Sequence, residues 1–179
     1  MPRAARLTAQ TLAVALVAGL LALLIWRVAR DNNNGVSQAL GSGAHPTAPN
    51  FDLPRLDGTG RFDLASVRGK KPIVLDFWAS WCQPCIHESK RLEAARQRYG
   101  NRVVFVGVDT KDFSSDARSW LRRHGIKYPS VHDGSGTVLT QWGGLPIPKI
   151  FFIDRSGKVV GELEAEEDLP RYLRRIASS

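Results

Sequence analysis

Cys82 and Cys85 are the only cysteines of this 179-residue chain, and just Gln83 and Pro84 separate them. Thiol–disulfide exchange needs one thiolate to attack a disulfide sulfur and a second thiol within reach to resolve the mixed disulfide. A C-x-x-C pair at the start of a helix provides both. The apolar run Ile73-Val74-Leu75-Asp76-Phe77-Trp78 ahead of Trp81-Cys82-Gln83-Pro84-Cys85 marks a strand giving way to a helix. Cys82, at the first turn, would meet unsatisfied backbone N–H groups and the positive end of the helix dipole, which favour a thiolate. Cys85, one turn further in, would be shielded. Cys82 is therefore the expected attacking sulfur and Cys85 the resolving one.

A structural disulfide and half of a zinc site are the competing uses of such a pair. A common zinc site wants four Cys or His ligands, often from a second C-x-x-C or an H-x3-H pair. Here His45, His87, His124 and His132 stand singly and no further cysteine exists. No metal and no cofactor is expected.

Exchange also moves protons. Asp76 interrupts an apolar strand six residues before Cys82, and burial there would raise its pKa and make it a usable base near neutrality. Trp81, beside the attacking sulfur, is read either as a flat apolar rim for substrate or as a packing residue, and Trp78 as core. His87 is two residues past Cys85, on a different helix face, and reads as surface.

The elements that must position these residues read as α/β. Strands are expected at 73–78, 103–108, 150–153 and 159–163. Helices are expected over 84–98, over 115–124 with Ser114 or Ser115 as N-cap and Gly125 as stop, over 137–142, and from Asp168 with Pro170 in the first turn. Asp154-Arg155-Ser156-Gly157 has the form of a hairpin turn. Leu145-Pro146-Ile147-Pro148-Lys149 holds the chain extended and sharply turned just before a strand.

The N-terminus has a separate character. Arg3 and Arg6 precede twenty uncharged residues, 7–26, which are followed by Arg27 and Arg30. As a helix they span roughly 30 Å, the thickness of a hydrocarbon core. A signal anchor over 1–30 is the favoured reading; a signal peptide cleaved further on is the alternative. The flanking arginines give a small bias toward a cytoplasmic N-terminus, with the rest of the chain outside. Residues 31–46 hold few large apolar groups and are expected to be a flexible linker, and 47–179 one domain. The net charge of +8 is spread without a dense basic block or interleaved aromatics, so no nucleic-acid partner is expected.

Asp76-Phe77-Trp78-Ala79-Ser80-Trp81-Cys82-Gln83-Pro84-Cys85, with Ile147-Pro148 ahead of Phe151-Phe152-Ile153-Asp154, resembles the thioredoxin superfamily. Ala48-Pro49-Asn50-Phe51-Asp52-Leu53 and Leu64-Ala65-Ser66-Val67-Arg68-Gly69-Lys70 resemble its ResA, CcmG (DsbE) and TlpA branch, whose members are membrane-tethered, extracytoplasmic thiol–disulfide oxidoreductases. The resemblance implies a thioredoxin-like fold, a mixed sheet flanked by helices, with an extra strand and helix inserted within 128–142. It implies that Pro148 is cis and faces the cysteines while Pro146 is trans, that the backbone at Ile147 pairs with a bound substrate, and that Glu88 is the active-site glutamate of this branch. A solvated or capping carboxylate is the alternative for Glu88. Trp81, Pro84, Ile147 and Pro148 are the expected substrate contacts. Asp76 matches the buried aspartate of thioredoxins, where many ResA and CcmG proteins have asparagine.

Gln83 and Pro84 cannot donate charge to Cys82, which fits a reductant better than a strong oxidant. The branch implies apocytochrome c as substrate, a membrane thiol donor of the CcdA or DsbD kind, a single-pass location with the domain outside the cytoplasm, and a monomeric domain. A broader extracytoplasmic protein-disulfide reductase and a non-enzymatic binding module are the alternatives. Peroxiredoxin chemistry is weakly placed, because the P-x-x-x-T-x-x-C pattern is absent.

Overall fold

In the computed structural model the backbone is described for residues 3–32 and 35–178, with side chains for 12–26 and 35–178. The chain runs α1 (Arg3–Asn32), α2 (Val36–Gly41), β1 (Asp52–Pro54), β2 (Arg61–Asp63), β3 (Ile73–Trp78), α3 (Gln83–Tyr99), β4 (Val104–Thr110), α4 (Ser114–His124), β5 (Ser130–Asp133), α5 (Thr137–Trp142), β6 (Lys149–Ile153), β7 (Val159–Glu162) and α6 (Leu169–Ala177).

Every residue of β3 is buried, because β3 is the middle strand of a five-stranded sheet of order β5-β4-β3-β6-β7. It runs parallel to β4 and antiparallel to β6, a register that sets Asp76 beside Gly107 on one side and Ile150 on the other. A fully buried strand has no polar face, which is why its sequence is apolar throughout except at Asp76. β6 and β7 join through Asp154-Arg155-Ser156-Gly157, where Asp154 accepts from Ser156 Oγ and Lys158 N–H and Gly157 takes φ 85°. The strand β5 and helix α5 form the inserted pair between α4 and the proline loop.

Three expectations change in detail. The helix α4 starts one residue early, with Phe113 rather than a serine as its N-cap, because the Asp112 carboxylate takes the Phe113 N–H at 2.7 Å. The short hairpin β1–β2 was not legible as strands. The linker expected over 31–46 is not free along its length: Val36–Gly41 is helical, Val36 is buried, and Ser37 Oγ donates to the Trp142 carbonyl at 3.0 Å. That docking needs Gly143, where a Cβ would come within 2.2 Å of Ser37 Oγ. One apolar side chain and one hydroxyl suffice when a folded surface supplies their partners.

The contacts divide the chain into Met1–Asn34 and Gly35–Ser179. Among the described residues no helix is long and apolar enough to cross a membrane. The described side chains of α1, Leu12 to Trp26, are exposed. The arginines expected to flank an anchor, Arg3, Arg6, Arg27 and Arg30, have side chains outside the described residues.

Candidate active site

Cys82 is the N-cap of α3, with Pro84 in the first turn, and it forms a disulfide with Cys85. Its Sγ accepts the Cys85 N–H at 3.3 Å, so one of the orphan donors of the helix terminus is aimed at this sulfur. The carbonyl oxygen of Ile147 lies 3.7 Å from the same atom. In this oxidised form access differs only narrowly, Cys82 being 4% exposed and Cys85 0%.

Pro148 follows a cis peptide, as expected, but so does Pro146, which was expected to be trans. The trans preference of an X-Pro bond is only about 0.5–1 kcal/mol, so loop context rather than proline chemistry selects the isomer. Ile147 between the two prolines presents its carbonyl to the sulfur.

Asp76 is fully buried on β3 beneath α3. Its Oδ2 accepts from Tyr128 Oη at 2.7 Å and from Ser89 Oγ at 3.3 Å, and Ser89 is one helical turn past Cys85. Its Oδ1 is buried and has no hydrogen-bond partner among the described residues. Burial pushes the Asp76 carboxyl up to about 7, the two hydroxyls pull the other way, and the charge of Glu88 adds to the rise. Gly107 keeps this arrangement open: a Cβ there would meet Trp78 Nε1 and Ser130 Oγ at 2.6 Å and the Tyr128 ring at 3.0 Å. Burial also drives Tyr128 well above its ordinary value, so the phenol stays a donor.

Glu88 is buried, and with Pro148, Ile150, Leu163, Glu164, Ala165 and Glu166 it lines a cleft of about 150 Å³. Burial first, and then the Glu166 carboxylate, raise its pKa, while Arg91 opposes them. Its Oε2 is unpartnered among the described residues. Glu166 in turn pairs with Arg91 and lies 3.4 Å from His87 Nε2, whose side chain is exposed as expected.

Trp78 is core and stacks on Trp120, ring centroids 4.4 Å apart. Trp81 is at the surface, and its indole N–H donates to the Lys111 carbonyl at 3.0 Å. Asp112 accepts the Ser80 N–H at 2.6 Å and so ties the loop after β3 to the loop after β4. Behind it Asp109, fully buried, meets His132 Nδ1 at 2.6 Å. Burial, then the Asp112 and Asp133 carboxylates, push Asp109 up to about 9.

The structure brings Cys82, Cys85 and the Ile147–Pro148 loop together, sets Asp76 on Ser89, one turn past Cys85 on α3, and lets Glu88 and Pro148 share a cleft. Trp81 immediately precedes the disulfide in sequence and Pro84 lies between its two cysteines. Sequence reasoning missed Tyr128 and Ser89 as partners of Asp76 and missed the Asp109–His132 pair. Ser89 was discoverable, being four residues past Cys85 on one helix face. Tyr128 is 52 residues from Asp76 and only the sheet brings them together.

A redox-active C-x-x-C at a helix N-terminus, opposed by a cis-proline loop on a five-stranded mixed sheet, defines a thioredoxin-like thiol–disulfide oxidoreductase. Residues 44–161 match the AhpC/TSA family. The thiol-disulfide oxidoreductase ResA of Bacillus thuringiensis subsp. konkukian is 30% identical over 133 residues, 72% of this chain and 76% of that protein. The thiol:disulfide interchange protein DsbE homolog of Paracoccus denitrificans is 31% identical over 169 residues, 90% and 89% of the two chains. A crystal structure of a thiol:disulfide interchange protein, thioredoxin family protein, from Chlorobium tepidum TLS superposes with TM-score 0.65 at 26% identity, covering 74% of this chain and 97% of that one. The chain belongs to the AhpC/TSA family and, within it, to the thiol–disulfide oxidoreductases of the ResA and DsbE kind.

Proposed function

We propose that this oxidoreductase is a membrane-tethered, extracytoplasmic reductant of protein disulfides, with apocytochrome c as substrate and a membrane thiol donor of the CcdA or DsbD kind as its electron source. The observation that carries the reading is Cys82 Sγ at the α3 N-terminus, within 3.7 Å of the Ile147 carbonyl and with no cationic side chain between the two cysteines.

In the reduced protein the Cys82 thiolate attacks a substrate sulfur; a mixed disulfide forms and one substrate thiolate leaves. Cys85 then loses its proton and attacks Cys82 Sγ, closing the protein disulfide and releasing the second substrate thiolate. Two electrons pass from the protein dithiol to the substrate. Asp76 is the proposed acceptor of the Cys85 proton, through the oxygen left without a partner. Glu88 and the backbone at Ile147 and Pro148 are proposed to line the substrate's path, with Trp81 and Pro84 at its edge.

Support for the tether comes from the twenty uncharged residues at 7–26 within the single helix Arg3–Asn32, whose described apolar side chains are exposed. The Paracoccus relative aligns over 90% of the chain, so the match reaches back into this segment. The proposed domain division is an anchor over 1–30, a linker over 31–46 and a domain over 47–179, with the helix Val36–Gly41 of the linker docked through Ser37 on the Trp142 carbonyl.

Trapping and titration test the reading together. Cys85→Ser is expected to accumulate mixed disulfides through Cys82, with apocytochrome c among the captured proteins, and Cys82→Ser to capture none. The Cys82–Cys85 couple is expected below about −200 mV, more reducing than the roughly −120 mV of a strong periplasmic oxidant. A couple near that oxidant's value, or capture only by the Cys82→Ser chain, would overturn it.

A further inference from the structure

From Gly35 onward only three large apolar side chains are exposed among the described residues: Trp81 at 52%, Phe113 at 76% and Leu145 at 53%. Trp81 and Leu145 belong to the loops that border the disulfide, and Phe113 to the loop hydrogen-bonded to Trp81. Trp81 precedes Cys82, Leu145 is two residues before Ile147, and Phe113 is in the loop whose Lys111 carbonyl holds the Trp81 indole. Trp81 and Phe113 are walls of one cleft of about 450 Å³, which Ser80, Asp112 and Asp116 help to line.

The two aromatic walls are fixed in place. Asp112 accepts the Ser80 N–H with one oxygen and the Phe113 N–H with the other, at 2.6 and 2.7 Å, so a single carboxylate sets the two loops against each other. The Phe113 carbonyl caps α4 by accepting from Asp116 and Ala117 N–H. With both oxygens of Asp112 engaged by backbone, the cleft presents the Trp81 and Phe113 rings as its apolar walls, with Lys111 and Asp116 as the charged residues beside them. Phe113 exposed beside an exposed Trp81 in one cleft makes a contiguous apolar surface that a partner can cover.

We propose that the cleft between Trp81 and Phe113 receives a bulky apolar side chain of the disulfide-bearing substrate, a few residues from the substrate's reactive cysteine, and that Phe113 thereby sets substrate preference. The occupant follows from continuity: exchange requires the substrate's sulfur at Cys82, and its chain must then cross the loops that border Cys82. Rigid aromatic walls take up an apolar side chain with little ordering cost. The inference rests on the reading of this protein as a reductant of protein disulfides and adds the feature by which it selects them.

The test uses the full chain and a set of synthetic peptides, each with one cysteine joined by a disulfide to a small thiol, and with Phe, Leu, Ser or Asp placed two or three residues to either side. The reduced wild-type protein is expected to reduce a Phe peptide about tenfold faster in kcat/KM than its Ser counterpart, equivalent to about 1.4 kcal/mol. Phe113→Ala should remove that preference and Phe113→Leu keep part of it; both alter an exposed side chain and should fold. A Phe113→Ala chain with the wild-type preference overturns the inference. A wild-type chain that reduces all the peptides at one rate also overturns it and leaves the reductant reading standing, whereas a chain that reduces none overturns that reading and the inference together.

Discussion

Asp76 and Asp109 are buried carboxylates on neighbouring strands of one sheet, and burial raises the pKa of each. Their neighbours differ. Each keeps one carboxylate oxygen unpartnered among the described residues, but Asp76 faces two hydroxyl donors, Tyr128 and Ser89, under the helix that carries the cysteines. Asp109 faces the Asp112 and Asp133 carboxylates and the His132 imidazole, beneath the loop that carries Trp81. The first setting brings the group to about 7, where it can gain and lose a proton during turnover; the second holds it at about 9, where it stays a fixed hydrogen-bonding post. Burial alone does not make a base. The charges around the buried group decide whether its proton is exchangeable at working pH.

The contrast is sharpest in activity. Asp76→Asn is expected to slow reduction of a model disulfide at pH 7 by about a hundredfold, the lower end of what a positioned base contributes, and Asp109→Asn by less than about threefold. Single-turnover kinetics of the reduced protein would read both. Equal losses would dissolve the distinction.

Packing gives the next effect. Gly107→Ala is expected to destabilise the fold by about 1–3 kcal/mol, since a methyl group there drives into Trp78, Ser130 and the Tyr128 ring. Denaturant unfolding checks the stability. The exchange rate should fall as well, because Tyr128 is displaced from Asp76.

Tyr128→Phe should act more mildly. Its hydroxyl holds the Asp76 pKa down, so losing it should move the inflection of the pH–rate curve to higher pH and slow the reaction at pH 7 only a few-fold. A shift to lower pH would mean that the phenol does not stabilise the ionised carboxylate.

Stability against pH separates the two groups most finely. A carboxyl raised on folding has its stability intact below its unfolded pKa of about 3.9 and loses it as pH climbs to the folded value. The wild type should therefore weaken from about pH 4 upward. Both groups contribute between about pH 4 and 7, so Asp76→Asn should roughly halve the decline there and leave the part toward pH 9, whereas Asp109→Asn should roughly halve it below about pH 7 and remove it above. Urea midpoints across this range would show it.

The fold and the redox pair were legible because local signals coincide there. A six-residue apolar run ends at a C-x-x-C, a proline sits in the helix's first turn, and the hairpin turn at 154–157 and the stop at Gly125 rest on backbone geometry that short sequences encode. Asp76 stood out as a polar break in a buried strand. The partners that set its chemistry did not: Tyr128 comes from a segment whose relation to β3 exists only after β4 and β5 have paired. Asp109 drew no notice in the sequence, because nothing nearby announces His132. The docking of Val36 was hidden by a polar composition, and the second cis peptide by the small energy that separates proline isomers.

The carboxyl carbon of Asp76, followed by NMR from pH 4 to 10 in the oxidised chain, tests the central claim most directly, with Asp76→Asn used to assign the signal. The expected midpoint is close to 7. A midpoint near 4, the ordinary carboxylate range, would make Asp76 a permanently ionised structural group and would contradict its role as acceptor of the Cys85 proton.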